Sequence, residues 1–235
     1  MKLTNKILLV FLILLVLLVT AYKIVFDCKV ELIPNPFEDK TSYITKYFPA
    51  TGHALNQIEL KGRFIVYFIK KDSAGVIMEG PDNLINHYLT IKQEGNKLSI
   101  NSKIDFSKYS HFIRIYCYTN MLRSVKASGG AIIYTERFTG DSLAVAVEDS
   151  SIVKANYCKY LNTRIIGKEK SMVMMERTKN ATIHLYDQSE LLLTLDGGEV
   201  NGMIEKNTDL GLGGMVKKNN VERVKSNSKQ RGELK

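Results

Sequence analysis

Apolar and polar residues alternate along much of the chain after residue 57, with the period of two that is typical of β-strands. Residues 64–69, Phe-Ile-Val-Tyr-Phe-Ile, are all β-branched or aromatic and predict a strand. Residues 89–91 and 98–100 flank the turn Gln93–Asn96 at a spacing that predicts a hairpin. The short stretch Asp82–Tyr88 is the one helical candidate in this part of the chain. The pattern therefore predicts an all-β domain.

From about residue 122 the alternation itself repeats. Five apolar residues follow one another at intervals of 20, 19, 19 and 19 residues, and each is followed six residues later by another apolar residue. A polar turn separates the two members of each pair. A period near 20 with β-type alternation predicts a parallel β-helix, in which each repeat is one coil and inward residues stack into a continuous apolar core. The first column is Ala127, Val147, Ile166, Leu185 and Ile204, and the second is Ile133, Val153, Met172, Leu191 and Leu210.

One charged residue departs from this pattern. Arg164 occupies a column in which Val125, Val145 and Ile183 are apolar. Either the register slips by one residue, so that Thr163 or Ile165 faces the core, or the arginine reaches outwards at a bulge. We favour the slip.

The N-terminal segment is strongly apolar. Residues 7–21 contain one polar residue, Thr20, and follow Lys2 and Lys6. We expect residues 1–26 to form either a transmembrane anchor or a cleaved secretory signal, with the rest of the chain outside the cytoplasm, in the cell envelope. Prolines and mixed polar residues in 27–50 predict a linker, which places the β-helix domain at 51–216.

The net charge of +9 is concentrated at the C-terminus. Residues 217–235 hold seven basic and two acidic side chains and are predicted to be a disordered basic tail. The remaining charge is spread thinly, without the basic patch interleaved with aromatic residues that nucleic-acid binding requires. We expect the membrane as a partner, through residues 1–26, and no nucleic acid.

Several motifs resemble one bacterial family. Residues 58–100 contain the strand and hairpin patterns described above, 113–118 read Ile-Arg-Ile-Tyr-Cys-Tyr, and 122–130 read Leu-Arg-Ser-Val-Lys-Ala-Ser-Gly-Gly before the coils begin. Over about 51–216 the chain resembles the family called putative auto-transporter adhesin, head GIN domain. The family repeats a Ser-Gly-Ser-Gly-like turn in its coils, which this chain keeps at Ser128–Gly130. The resemblance implies a right-handed β-helix in an exported or anchored protein, and it brings no catalytic residue.

A hydrolase signature, Gly-Asp-Ser-Leu, occurs at 140–143. In hydrolases with this signature the serine is the nucleophile and needs a histidine base that an aspartate orients. No aspartate in the sequence is followed by a histidine three residues later, and the strand–helix alternation of such enzymes is missing. The coil register places Gly140–Ser142 at a corner, so we predict that Ser142 turns the chain. We predict no catalytic, cofactor or metal site.

Charged residues occupy one position of the predicted corners. Two residues beyond the first column stand Asp149, Lys168, Asp187 and Lys206, which would form a surface ladder of alternating sign. A polysaccharide lyase would instead cluster carboxylates for Ca²⁺ beside a basic residue. An exposed ladder of this kind contributes about 0–1 kcal/mol per pair.

The chain contains three cysteines, Cys28, Cys117 and Cys158, so an exported chain cannot pair all of them internally. A disulfide between Cys117 and Cys158 is one alternative, and free thiols are the other.

Together these features predict a non-enzymatic cell-envelope protein that presents an outward-facing β-helix for binding or scaffolding. Its expected partners are an envelope protein, a glycan or further copies of itself. Two alternatives stay open: a β-helix enzyme that acts on carbohydrates, and a structural or regulatory envelope component.

Overall fold

The computed structural model describes Leu15 and residues 42–50, 55–104 and 113–225. It is an all-β, right-handed solenoid of about five turns. Between residues 42 and 225 the described segments form fifteen strands and one short π-helix. The strands are β1 (Tyr43–Pro49), β2 (Gln57–Lys61), β3 (Phe64–Lys70), β4 (Gly75–Pro81), β5 (Leu89–Glu94), β6 (Lys97–Ser102), β7 (Ile113–Thr119), β8 (Ser124–Ser128), β9 (Ile132–Glu136), β10 (Thr139–Val147), β11 (Ile152–Asn156), β12 (Lys159–Gly167), β13 (Met172–Leu185), β14 (Glu190–Glu205) and β15 (Asp209–Val224).

Parallel pairing arranges these strands into faces. Face A contains β2, β8 and the C-terminal ends of β10 and β12–β15, and its core column runs through Leu60, Ala127, Val147, Gly167, Leu185 and Ile204. Face B contains β7, β3, β9, β11 and the N-terminal ends of β13–β15. Its core column runs through Ile115, Val66, Ile133, Val153, Val173, Leu191 and Leu210. The remaining parts of β10 and β12–β15 form a third side, which we call face C.

The third coil confirms the predicted register slip. Arg164 is exposed, whereas Thr163 and Ile165 on either side of it are buried. The first column therefore passes through Gly167 rather than Ile166, and the second through Val173 rather than Met172. The true intervals of both columns are 20, 20, 18 and 19 residues.

The N-terminal end is finished by antiparallel strands. On face A, β6 pairs with β2 in parallel and then with β5 in the predicted hairpin. On face B, β4 pairs antiparallel with β7, and β1 adds antiparallel to β4. The π-helix Leu84–Tyr88 lies within the predicted helical stretch Asp82–Tyr88 and buries Leu84 and Ile85.

Two predicted boundaries differ from the structure. The predicted linker 27–50 ends in strand β1, because Pro49 is the last residue of that strand and does not interrupt it. The predicted tail 217–235 begins inside β15, whose residues 218–224 pair with β14 despite their charge. Residues 226–235 lie outside the described residues.

The apolar N-terminal segment 1–26, predicted to be an anchor or a signal, lies outside the described residues except for Leu15. Across the ranges that the structure describes, no helix has both the length and the apolar character needed to cross a bilayer.

The corner from face A to face B is built in the same way in successive coils. Two consecutive residues have a positive φ: Gly129 and Gly130 in the first corner, then Asp149–Ser150, Glu169–Lys170 and Asp187–Gln188. This conformation costs a residue other than glycine about 1 kcal/mol. Backbone hydrogen bonds that run from coil to coil offset that cost, such as those from Ser150 N to Glu169 O (2.9 Å) and from Lys170 N to Asp187 O (2.9 Å).

Each corner after the first, which ends in Ala131, ends in a buried hydroxyl. Ser151, Ser171, Ser189 and Thr208 are at most 1% exposed. Their oxygens bind corner backbone: Ser151 Oγ accepts from Gly130 N and Ala131 N at 3.1 Å, and Ser189 Oγ donates to Gly167 O at 3.2 Å. This column of hydroxyls provides hydrogen-bond partners for backbone groups that the turns bury.

Candidate binding surface

Three tyrosine rings stack on the outside of face B. Strand β3 lies between β7 and β9, and its Tyr67 is in register with Tyr116 on one side and Tyr134 on the other. The ring centroids are 5.3 Å apart in both pairs, with interplanar angles of 16° and 13°. The three rings are therefore held parallel by the spacing of the strands themselves.

The tyrosines are the centre of a longer outward row, which we call the aromatic row. The same register position holds an apolar residue or a lysine in each neighbouring strand. Tyr47 at one end is 60% exposed and Leu192 at the other is 39% exposed. In spatial order the row is Tyr47, Ile77, Tyr116, Tyr67, Tyr134, Lys154, Met174 and Leu192.

A groove of about 470 Å³ lies along the tyrosines. Lys70, Glu136 and Arg137 contribute its charged lining. The ammonium of Lys154 lies 5.6 Å from the ring centroid of Tyr134, and that of Lys71 lies 4.2 Å from the ring of Tyr118. Of these cations, Lys154 contacts a ring of the stacked triad, Lys70 and Arg137 line the groove, and Lys71 contacts the separate ring of Tyr118.

Tyr116 is the most constrained of the three tyrosines. Its hydroxyl donates a 3.2 Å hydrogen bond to the Glu79 carboxylate on β4. Burial and the neighbouring negative charge of Glu79 raise the pKa of Tyr116 above its usual value. It stays a neutral hydroxyl at physiological pH and acts as a hydrogen-bonding group, not as a base.

The hydrolase-like serine has no catalytic surroundings in the described part of the chain. Ser142 lies inside β10, not at a corner, and its neighbour in the parallel ladder is Asn162. The two described histidines lie elsewhere, His87 in the π-helix and His184 on β13. Within the described ranges, no group of three or more His, Cys, Asp or Glu side chains could hold a metal ion.

The predicted alternating ladder changes at its second member. Because the third coil slips by one residue, Lys168 lies in line with Glu148 and Tyr186, and its ammonium is 5.9 Å from the Tyr186 ring. Glu169 takes the place between Asp149 and Asp187. The column is therefore Asp149, Glu169, Asp187 and Lys206, with three acidic residues in succession.

This acidic corner affects the titration of Glu169. A hydrogen bond between the side chains of Asp149 and Glu169 is the main cause that raises the pKa of the Glu169 carboxyl. Partial burial and the charges of Asp149, Glu148 and Asp187 act in the same direction.

Cys117 and Cys158 are free, buried thiols. Burial raises the pKa of Cys117 to about 12 and also raises that of Cys158, so neither is a reactive thiolate at neutral pH. Of the two alternatives for this pair, the structure has the unpaired one.

The sequence matches one protein family, described as putative auto-transporter adhesin, head GIN domain, over residues 54–233. The chain belongs to this family. An adhesin-type family suggests a protein exposed at the surface or envelope, and adhesins are non-enzymatic. None of the curated proteins matches the chain.

One of the similar solved structures of bacterial proteins shares the fold. A putative adhesin from Bacteroides fragilis NCTC 9343 is 14% identical, with a TM-score of 0.56 over 78% of this chain and 97% of that one. A putative adhesin from Parabacteroides distasonis ATCC 8503 is 16% identical, with a TM-score of 0.44 over 79% and 98%. A putative lipid binding protein from the same organism is 13% identical, with a TM-score of 0.43 over 79% and 98%. The first supports the fold alone, and the other two are too distant to add to it.

The aromatic row was not predicted from the sequence. Its three stacked tyrosines lie in segments separated by 49 and 18 residues, and the order of their strands in space, β7–β3–β9, differs from the order in the chain. The available signal was the shared pattern of residues 64–69, 113–118 and 132–135, in which an outward tyrosine lies between two inward residues.

Proposed function

We propose that the protein is a non-enzymatic, adhesin-like component of the cell envelope that binds its target through the aromatic row of face B. The stacked triad Tyr116, Tyr67 and Tyr134 carries this proposal. Exposed apolar and aromatic surface of this extent is costly in water, and on soluble domains it marks interaction sites.

The triad is suited to binding because it is already ordered. Tyrosine offers a large apolar ring and a polar hydroxyl, and it is enriched among the residues that dominate binding energy. Three rings that stack on each other lose little side-chain freedom when a ligand arrives, so less of the interaction energy is spent on ordering them.

The surroundings favour an acidic glycan as the target. Three cations lie beside the rings, against two carboxylates, Glu136 in the groove lining and Glu79 at the Tyr116 hydroxyl. The cations are Lys70, Arg137 and Lys154. Hydroxyl groups of the tyrosines can exchange hydrogen bonds with sugar hydroxyls, while the cations attract carboxylates or sulfates. An envelope protein with an acidic surface is the second candidate, favoured by the same cations.

A binding screen tests the proposal. The full chain in mild detergent is applied to acidic and neutral glycans and to crosslinked envelope proteins. We expect Tyr67→Ala to weaken binding of the acidic ligand by roughly tenfold or more, as loss of a central hot-spot residue does. Tyr43→Ala is the matched control, because Tyr43 is 58% exposed on the same face but lies outside the row.

Thermal unfolding of both variants separates lost binding from lost folding. Binding that is equal in Tyr67→Ala and Tyr43→Ala would place the site elsewhere. Failure of the wild-type chain to bind any glycan or envelope protein would reject the adhesin proposal and favour a structural role.

The enzymatic alternative has its own assay. Incubation with acidic polysaccharides, with and without Ca²⁺, would reveal shortened chains if the β-helix cleaves them. We expect no cleavage in either condition. Cleavage that is lost in Glu169→Gln would show that the acidic corner is a catalytic site.

The location is part of the proposal. We infer that the solenoid lies outside the cytoplasm, held by or exported through the apolar segment 1–26. Protease added to intact cells, and to cells with a permeabilised outer layer, should degrade the domain in at least one case before lysis. Protection in both would reject an extracytoplasmic location.

A further inference from the structure

The last described strand, β15, has one edge that no other described strand pairs with. Strand β15 pairs in parallel with β14, and no strand in the described part of the chain pairs with its other side. The opposite end of the solenoid also finishes in strands that pair on one side only, β5 and β1, but these run antiparallel to their neighbours. An unpaired strand presents a row of backbone N–H and C=O groups that can pair with another chain.

On face A this edge is polar, not apolar. Asn219 follows Val200 in its core column, and Arg223 follows Ile204. Val200 and Ile204 are at most 1% exposed, whereas Asn219 and Arg223 are exposed. Between these two polar residues Val221 follows Gly202, and its backbone N donates a 3.1 Å hydrogen bond to Asn219 Oδ1. The core is therefore closed mainly by polar residues, and the edge offers a partner its remaining backbone groups and its charges.

We propose that β15 pairs with β15 of a second copy, antiparallel, about a two-fold axis at Asn220. A two-fold axis perpendicular to the solenoid turns one C-terminal edge onto the other and reverses the strand direction. Asn220 then lies opposite Asn220 of the other copy. Lys218 lies opposite Glu222, and the symmetry repeats that pair.

Charge selects this register from the alternatives. Lys218, Asn220 and Glu222 align with the outward residues Glu199, Asn201 and Met203 of β14, so they point outwards too. An axis at Lys218 or at Glu222 would bring like charges together. An axis at Asn219 or Val221 would give neither charge an opposite partner. The axis at Asn220 places Lys218 directly across from Glu222, which favours antiparallel pairing. Lys217 and Arg223, which the same axis would set opposite each other, lie just outside the stretch that pairs.

The side chain of Asn220 already belongs to an amide column. Its Nδ2 donates a 2.7 Å hydrogen bond to Oδ1 of Asn201 in the preceding coil. Pairing at the axis would extend this column into the second copy, as stacked asparagine ladders do between strands. Lys217 has no ladder partner because the register shifts there, so pairing is confined to about Lys218–Glu222. Such a short interface gives a weak, concentration-dependent dimer.

A charge swap tests the register. Sedimentation of the full chain in mild detergent is compared for wild type, Lys218→Glu, Glu222→Lys and the double variant. Each single change puts like charges opposite each other twice, and we expect a rise of about tenfold in the dimer dissociation constant. The double variant restores two opposite pairs and should return to the wild-type value. Segment 1–26 is unchanged throughout, so association through it is the same in all four proteins.

Crosslinking tests the axis independently. Residues facing each other in antiparallel strands have Cα atoms about 4.5–5.5 Å apart, within the span of a disulfide. In a Cys28→Ser background, Asn220→Cys should give a disulfide-linked dimer on mild oxidation. Asn162→Cys, exposed on face C, is the matched control and should give no disulfide-linked dimer.

Crosslinking at 220 but not at 162, together with rescue by the double swap, supports the proposal. A protein that is monomeric at all concentrations overturns the proposal, because the edge of β15 would then not bind a second copy. Filaments or higher oligomers overturn it in favour of head-to-tail stacking. Equal dissociation constants in the wild type and the three charge variants, each shown to be folded by thermal unfolding, also overturn it.

Discussion

The hydroxyl of Tyr160 donates a 3.1 Å hydrogen bond to the backbone carbonyl of Leu122 in the buried interior of the solenoid. Tyr160 is 2% exposed, and its ring covers Gly140 of the hydrolase-like motif. A Cβ atom at Gly140 would lie 3.2 Å from Cε1 of that ring. The glycine of the motif thus makes room for a core tyrosine, a packing role that involves no chemistry at Ser142.

Replacing Tyr160 with phenylalanine tests this contact. The ring would stay in place while the Leu122 carbonyl loses its buried donor, so we expect a loss of about 1–3 kcal/mol in the free energy of unfolding. Urea denaturation measures it. Tyr157→Phe is the control, because Tyr157 is 61% exposed and should change stability by less than about 0.5 kcal/mol. Equal effects in the two variants would show that the hydrogen bond between Tyr160 and Leu122 does not stabilise the fold.

Gly202 and Gly197 form a matched pair of backbone tests. Both have a positive φ, but a Cβ at Gly202 would lie 1.9 Å from the Ile183 carbonyl oxygen, whereas nothing lies within 4 Å at Gly197. We expect Gly197→Ala to cost about 1 kcal/mol, from conformation alone. Gly202→Ala adds a clash with the preceding coil and should cost more than about 3 kcal/mol. Thermal melts that are alike for the two would contradict the stacking of β14 on β13.

The acidic corner makes stability depend on pH. The raised pKa of Glu169 means that the folded protein holds this proton more tightly than the unfolded chain does. The resulting stabilisation is complete below the ordinary value of 4.5 and is lost as pH rises through the raised pKa. Above its raised pKa, Glu169 is ionised beside Asp149 and Asp187. Glu169→Gln should then stabilise the fold by no more than about 0.5 kcal/mol, because solvent screens the charges of an exposed group.

Comparing melting temperatures at pH 7.5 and pH 4 checks the sign. The gain from Glu169→Gln should be present at pH 7.5 and should shrink at pH 4. Glu136→Gln, an exposed change outside the column, should show no such difference. A gain that grows towards acid pH would be inconsistent with the column of Asp149, Glu169 and Asp187.

The two buried cysteines should react slowly with thiol reagents. In a Cys28→Ser variant, Cys117 and Cys158 should react with a thiol reagent at a rate set by unfolding, because both are 0% exposed and burial raises their pKa values. Denaturation without reductant should release two thiols per chain. A count of zero would mean that the two cysteines form a disulfide.

The coils could be predicted from the sequence because each coil repeats the same requirement. Residues such as Val147, Leu185 and Ile204 must face the core at nearly constant spacing, and that constraint is visible as a period. The exception was also visible in part, since Arg164 could not face the core. Carrying that slip forward to the corner would have replaced Lys168 with Glu169 in the charge ladder.

The binding surface could not be predicted in the same way. Outward positions carry no requirement for a common residue type, so Tyr116 and Tyr67 are ordinary strand residues until the spatial order of their strands is known. The C-terminal part of strand β15 could not be predicted from the sequence for a related reason. Its charged residues are typical of a solvated tail, and the backbone pairing with β14 that orders them leaves no mark on side-chain composition.

The unequal coils have a further consequence for the geometry of the molecule. The corner between faces A and B keeps its length from coil to coil, while the stretch from face B through face C shortens by two residues between the coil of Val153 and that of Val173. Rise per coil is fixed at about 4.8 Å by backbone pairing, but girth is not. The distance between neighbouring coils is therefore constant, whereas the number of residues in a coil, and with it the cross-section of the solenoid, can vary. A peptide inserted on face C would widen one coil and leave the spacing of the tyrosines unchanged.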